Sequence, residues 1–203
     1  MLPEPIPLMP VGPSGAGTDG ITKPRQAGGP ARFLTDVIAD LGLVARDRVT
    51  TAIEDARRSG RMPEDVLIEE GSLTADALAR AVAERHGLDH LDLGVYKPDM
   101  HAANLISIPA AKRYEAVPVA FLDDRTLLVA MADPANVLAV DDIALLTGKE
   151  IRPAVTSRED IHGLISRLDD VLDFVDAAAD RVALYEIESA RPEAIDLAKL
   201  LTI

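Results

Sequence analysis

The strongest constraint on the fold of this chain is a pattern that it carries twice between residues 32 and 93. Identical residues recur at one constant separation (71 minus 42 is 29), as Gly42 with Gly71, Val37 with Val66, and Asp47 with Asp76. Apolar residues keep the same separation, as Ile38 with Leu67, Val44 with Leu73, Val49 with Leu78, Ile53 with Val82, and Ala52 with Ala81. The agreement of so many positions indicates a tandem duplication.

Each copy has the pattern of a short helix, a glycine stop and a longer helix. Apolar residues recur at i, i+3 and i+4 up to Leu41, and Gly42 then permits the left-handed conformation that ends a helix. In the second copy, Pro63 suits a first helical turn and Thr74 suits the N-cap of the longer helix. Neither helix pair has enough apolar surface to be stable alone, so we expect the copies to pack on each other.

This duplicated unit resembles the N-terminal domain, of the MshEN type, of the assembly ATPases of type II secretion and type IV pili. The resemblance rests on framework positions in both copies, namely Leu34, Ile38, Gly42, Val49 and Ile53, then Leu67, Gly71, Leu78 and Val82. Better-preserved members of that family bind cyclic di-GMP. The resemblance therefore implies candidate ligand contacts at Arg32, Phe33, Leu34, Ile38, Arg61, Met62, Leu67 and Arg85.

The ligand-contacting letters of the family pattern are largely replaced here. Phe33 and Met62 stand where the family has Arg, Thr35 and Glu64 where it has Gly, and Ala56 and Arg85 where it has Gln. An arginine precedes each copy by one position, at Arg32 and Arg61, and could reach a phosphate if the helix starts shift. Any cyclic di-GMP affinity should therefore be weak and depend on Arg32, Arg61 or Arg85.

Residues 94–168 have the pattern of a small α/β sandwich. Two β-branched runs, 116–122 and 126–131, flank a hairpin turn at Asp123-Asp124-Arg125. A helix over 137–146, a strand over 151–155 and a helix capped by Ser157 with Asp160 follow. The string Ala132-Asp133-Pro134 extends the family resemblance to about residue 168, and we interpret Asp133 as a turn former and not as a catalytic group.

The predicted fold class is α+β, with four segments. Residues 1–31 hold seven prolines and six glycines and are expected to form a disordered tail. The duplicated helical subdomain over 32–93 and the α/β sandwich over 94–168 follow. Residues 169–203 are expected to form an acidic helix and a linker toward a missing motor domain, as in full-length family members.

Charge and composition restrict the kinds of partner. The formal net charge of −13 opposes general attraction to nucleic acid or to anionic lipid, so a basic protein surface is the expected partner. No segment has the apolar length of a membrane span, and the absence of cysteine excludes disulfides and thiolate catalysis. Together with the resemblance, this predicts a cytoplasmic protein held peripherally at the inner membrane through a partner.

No catalytic or metal site is predicted. Thr147-Gly148-Lys149-Glu150 approaches a Walker motif, but Ile143 replaces its first glycine and Glu150 replaces the magnesium-binding Ser or Thr. His86 and His90 have the i, i+4 spacing of a zinc helix, but Gly87 interrupts that helix. We therefore expect no ATP hydrolysis by this chain, although a full-length family member would be an ATPase.

Three functions remain, and the sequence favours the first. It is a docking module that binds the cytoplasmic domain of a membrane-anchored secretion or pilus platform protein and adjoins its own ATPase domain. The alternatives are a cyclic di-GMP sensor with a degenerate motif and a small stand-alone enzyme. The expected docking surface is the acidic set Asp36, Asp40, Asp47, Glu54, Asp55, Glu64, Asp65, Glu69 and Glu70.

Overall fold

The computed structural model describes residues 19–25 and 32–184. The chain divides into two compact units, residues 1–165 and residues 166–203. The remaining parts of the predicted N-terminal tail and of the predicted C-terminal linker lie outside the described residues. The predicted subdomain boundaries at residues 93 and 168 stay predictions.

Both copies of the duplicated pattern form the helix pairs that the sequence predicts. The four helices are α1 (Leu34–Asp40), α2 (Arg46–Ser59), α3 (Pro63–Glu69) and α4 (Ala75–His86). Gly42 and Gly71 have φ angles of 71° and 70°, so the two copies end their short helices in the same left-handed conformation. The Thr74 hydroxyl accepts a hydrogen bond from the Ala77 N–H at 3.1 Å and caps α4.

The short helix of each copy packs mainly on the long helix of the other copy. Helix α1 contacts α4, and α3 contacts α2. Ile38 of α1 and Leu67 of α3 are fully buried in the shared core of these helices. The duplication therefore builds one core from two interlocked halves, which explains why one copy alone has too little apolar surface.

The α/β part adds four helices and a five-stranded mixed sheet within the described residues. The strands are β1 (Ile21–Thr22), β2 (Asp89–Leu91), β3 (Ala116–Phe121), β4 (Thr126–Met131) and β5 (Glu150–Val155). The helices are α5 (Met100–Ala103), α6 (Ile108–Tyr114), α7 (Val137–Thr147) and α8 (Arg158–Leu184). The strand order is β1-β2-β5-β4-β3, with β2, β5 and β4 parallel and both outer pairings antiparallel. This confirms the predicted α+β class.

The local turn and cap predictions in this part are also confirmed. The Asp123 carboxylate accepts from the Arg125 N–H at 2.8 Å in the β3–β4 hairpin. The Asp133 carboxylate accepts from the Ala135 N–H at 2.9 Å after β4, as expected of a turn former. The Ser157 hydroxyl accepts from the Asp160 N–H at 3.0 Å at the start of α8.

Residues 19–25 differ from the predicted disordered tail, and we call them the N-terminal strap. Ile21 and Thr22 pair antiparallel with Leu91 and His90, so the strap supplies the edge strand β1. Gly20 has a φ of +89°, and its carbonyl accepts a hydrogen bond from the Asp92 N–H at 2.9 Å. A Cβ at Gly20 would lie 2.8 Å from the Tyr96 backbone nitrogen, so glycine is required there.

Helix α4 connects the helical core to the sheet. Ala79 and Ala83 of α4 pack with Val155 of β5 in a separate small core. Strand β2 follows α4 directly and pairs with β5, which places the end of the duplicated unit in the sheet. The helical unit is therefore joined to the sheet both by packing of α4 and by pairing of β2.

The second unit is described over residues 166–184, where α8 continues to Leu184. The four aspartates Asp170, Asp173, Asp176 and Asp180 are exposed on this stretch, together with apolar residues including Phe174 and Val175. No helix in the described part of the chain is long and apolar enough to cross a bilayer.

Candidate functional site

Two grooves on the helical unit are related by the sequence duplication. The first groove, of about 190 Å³, is lined by Arg25, Arg32, Val37, Asp40, Leu41 and Glu84. The second groove, of about 520 Å³, is lined by Asp55, Arg58, Ser59, Arg61, Val66, Glu69 and Glu70. Five positions of the first groove recur in the second at the repeat separation, as Arg32 with Arg61, Val37 with Val66, Asp40 with Glu69, Leu41 with Glu70, and Glu84 with Asp55.

The packing of the helices explains this equivalence. Each groove lies between the short helix of one copy and the long helix of the other, α1 with α4 and α3 with α2. Glu84 and Asp55 are therefore contributed by the opposite copy in each case. The two grooves are therefore equivalent in position, but some of their lining residues differ.

The two candidate phosphate-binding arginines form equivalent ion pairs. Arg32 pairs with Asp40, and Arg61 pairs with Glu69, in each case a carboxylate eight residues further on. Asp40 also receives Arg46 at 2.6 Å. Because a carboxylate already holds each guanidinium, an anionic ligand would have to compete with a charge-assisted hydrogen bond.

The apolar candidates divide into exposed and buried positions. Phe33 is 78% exposed and Met62 is 57% exposed, and they occupy the N-cap positions of α1 and α3. Leu34 is half-buried, and Arg85 is exposed on the last turn of α4, but neither lines a groove. These exposed side chains remain candidate contacts.

Ile38 and Leu67, the two remaining apolar candidates, lie in the core of the helical unit. Both side chains are fully buried in the helical core, where they contact neighbouring helices and no open surface. The family framework places apolar residues at these positions, and the structure shows that this chain uses them for packing. A ligand could reach them only if the core opened.

The N-terminal strap supplies groove residues that the sequence pattern did not reveal. The Arg25 N–H donates to the Glu84 carboxylate at 2.7 Å, and Arg25 lines the first groove. Lys23, Pro24 and Arg25 also line a separate small pocket together with Arg80 and Ala83 of α4. The strap is too short and too rich in turn-forming residues for the sequence to predict that it packs on the fold.

Two histidines, His86 and His90, do not line either groove. His90 is only 4% exposed on β2, and its Nε2 lies 3.0 Å from the Asp76 Oδ1, whereas His86 is exposed at the end of α4. Across residues 19–25 and 32–184, no three His, Asp or Glu side chains converge on a possible metal position. His86 ends α4 and His90 lies in β2, so the two histidines belong to different elements.

Two tyrosines have a raised phenol pKa. The Tyr114 hydroxyl of α6 donates to Asp142 of α7 at 2.8 Å, and this hydrogen bond raises the pKa of the Tyr114 phenol. Burial raises the pKa of the Tyr96 phenol, and the charge of Asp99 adds to the effect. Both phenols are therefore protonated at neutral pH and suited to packing and hydrogen bonding.

Comparison with known proteins relates the chain to one family. Residues 86–173 match the family model of the MshEN domain, a match that begins at the last residue of α4. A type IV pilus assembly ATPase PilB from Thermus thermophilus is 36% identical over 116 residues, which are 55% of this chain and 13% of that protein. The PilB of Myxococcus xanthus is 26% identical over 134 residues, 66% of this chain and 24% of that protein.

A solved structure described as MshE with cdg has the same fold. The TM-score is 0.54 at 23% identity, and the likeness covers 67% of this chain and 98% of that chain. The chain thus spans about an eighth to a quarter of the length of these two pilus ATPases, but nearly all of the solved neighbour.

Proposed function

We propose that this chain is the N-terminal docking and regulatory module of an assembly ATPase of type IV pili or type II secretion, because residues 86–173 match the MshEN domain model and the chain is similar to type IV pilus assembly ATPases. The domain match is the observation that carries this proposal. The module would bind the cytoplasmic domain of a membrane-anchored platform protein and adjoin its own ATPase domain. It would thereby be held peripherally at the inner membrane.

The helical unit offers a charged surface for such a partner. Among the nine carboxylates of the expected docking surface, Asp40, Asp55, Glu69 and Glu70 have ion-pair partners on the same unit. Asp47 and Glu54 of α2 are exposed, and no arginine, lysine or histidine among the described residues lies within ion-pair distance of either. These two carboxylates can therefore attract a basic partner without breaking an existing ion pair.

We expect the purified chain to bind the cytoplasmic domain of the platform protein with an affinity that falls as salt is added. Charges at an exposed surface steer association and are screened over about 8 Å at physiological ionic strength. Replacing Asp47→Asn together with Glu54→Gln should weaken binding about fivefold, since each exposed charge pair contributes up to about 1 kcal/mol. Calorimetric titration at two salt concentrations measures both effects.

A matched control is Asp141→Asn, which removes an exposed carboxylate from α7 in the α/β part. Its affinity should stay at the value of the unmodified chain. Equal weakening by Asp141→Asn would place the docking surface on the α/β part. No binding at either salt concentration would contradict the docking proposal itself.

Cyclic di-GMP sensing is the second candidate, and the solved neighbour described as MshE with cdg is the observation that favours it. In this chain the arginines at the repeat starts are held by carboxylates, and the second groove carries Asp55, Glu69 and Glu70. Negative charge in the groove repels the phosphates of a cyclic dinucleotide. We therefore rank sensing below docking.

Cyclic di-GMP should bind weakly, through Arg32, Arg61 or Arg85. Removal of the carboxylates that compete for these arginines should raise the affinity. Asp40→Asn with Glu69→Gln would free Arg32 and Arg61, and we expect about a tenfold gain, because a hydrogen bond to a charged group contributes about 1.5–3 kcal/mol. Calorimetry measures the change, with Arg57→Ala on the exposed side of α2 as the control. Submicromolar affinity that is unchanged by Arg61→Ala would show that the repeat register is wrong.

A further inference from the structure

The two grooves are equivalent in construction but differ in what lies in them. In the first groove, the N-terminal strap places Arg25 between α1 and α4, and the Arg25 N–H donates to Glu84. The second groove is lined only by residues of the duplicated unit, within the part of the chain that the structure describes. It is also the larger, at about 520 Å³ against about 190 Å³.

We propose that the second groove binds an extended basic segment of a protein partner, in the way that the first groove holds Arg25 of this chain. Asp55 is the counterpart of Glu84 and would accept the backbone N–H that Arg25 donates in the first groove. Arg25 is the strap residue that lines the first groove, so the expected partner segment carries an arginine. This inference deepens the proposed docking function but rests on the groove geometry.

The carboxylates of the second groove already have arginine partners. Asp55 pairs with Arg58, Glu69 with Arg61 and Glu70 with Arg48. A cationic segment would therefore bind by replacing one of these arginines as the partner of a carboxylate.

The Asp55 carboxylate can be released for a partner at little cost. Its present partner is Arg58, one turn further along α2, and the Arg58 side chain is exposed. Exposed ion pairs within one helix contribute little to stability because water and salt screen them. Val66 supplies the apolar floor of the groove, in the place that Val37 takes in the first groove.

The test is a titration of the isotope-labelled full chain with a capped synthetic peptide of the sequence Ile-Thr-Lys-Pro-Arg, which copies residues 21–25. Amide signals of the second groove, between residues 55 and 70, should shift and saturate. Asp55→Asn should weaken this binding about tenfold, the loss expected for one charge-assisted hydrogen bond. Asp55→Lys, which reverses the charge, should abolish it.

The matched control is Asp141→Asn, which removes the same charge from an exposed position of α7 outside the groove lining. Its affinity for the peptide should stay within about twofold, since only screened surface charge is lost. Equal weakening of peptide binding by Asp141→Asn and Asp55→Asn would overturn the inference, as would the absence of saturable shifts. Shifts confined to α1 and Glu84 would also overturn it, because the peptide would then have displaced the strap.

Further measurements distinguish a protein partner from a second copy of this chain, and the groove inference from the docking function. Self-association in sedimentation that Asp55→Asn abolishes would show that a second copy, and not another protein, fills the groove. Binding of the platform domain without binding of the peptide would end the groove inference and leave the docking function standing. Binding of the peptide without binding of the platform domain would support the groove inference and contradict the docking function.

Discussion

Replacing Leu67→Ala should lower the free energy of unfolding by about 2–5 kcal/mol, and Ile38→Ala should lower it by a similar amount. Both side chains are fully buried at equivalent positions of the helical core, so each truncation removes apolar contacts and leaves a cavity. The size of the loss depends on how far the surrounding helices can close the cavity. Urea unfolding followed by far-ultraviolet circular dichroism measures the free energy directly.

Met62→Ala is the control for this prediction, because Met62 is exposed in the same part of the second copy. Its effect should lie within about 0.5 kcal/mol. A similarly small effect of Leu67→Ala would contradict the packing of Leu67 in the core.

Replacing Gly20→Ala should detach the N-terminal strap from the sheet. The added Cβ would lie 2.8 Å from the Tyr96 nitrogen and 3.0 Å from the Asp92 oxygen, both backbone atoms, and the φ of +89° disfavours any side chain. Keeping the strap in place under this strain would cost about 1–3 kcal/mol, so we expect the short strand β1 to be released. The β1–β2 pairing and the Gly20–Asp92 hydrogen bond would then be lost.

Hydrogen exchange read by mass spectrometry tests this expectation. Peptides covering residues 19–25 and 89–93 should exchange faster in the Gly20→Ala variant, because the hydrogen bonds between them open. Gly148→Ala is the matched control, since Gly148 also has positive φ but a Cβ there would meet no atom within 4 Å. Unchanged exchange of the strap in Gly20→Ala would contradict the contact with Asp92 and Tyr96.

The same variant links the strap to the proposed groove function. With the strap released, the first groove loses Arg25 and resembles the second groove more closely. The basic peptide should then bind at both grooves of Gly20→Ala.

Local features of the fold were predictable because they depend on neighbouring residues. Glycine at Gly42 and Gly71 ends two helices, Thr74 caps a third, and Asp123 forms the hairpin turn. Each of these signals acts within about five residues, so the sequence contains all the atoms that take part. The repeat separation adds one long-range fact, since two equal copies must pack in equivalent ways.

The candidate site was predicted only in part. The arginines Arg32 and Arg61 do line equivalent grooves, but the sequence predicts Asp40 and Glu69 as part of a docking surface and not as the partners of these arginines. The family position implies ligand contacts at Ile38 and Leu67, whereas the structure places both side chains in the core. An i, i+8 ion pair across a short helix gives no periodic signal that would reveal it.

The sequence by itself determined the duplication, the helix ends, the α+β class and the acidic character of the helical unit. Only the tertiary structure decided that each short helix packs on the long helix of the other copy and that β2 joins β5. It also decided that residues 19–25 add the edge strand and that Arg25 lines one groove. The physical reason is how far apart in the sequence the interacting residues lie. Caps, turns and periodicity arise from contacts between neighbours in the chain, whereas the pairing of copies and the filling of a groove depend on the relative free energies of contacts between distant segments.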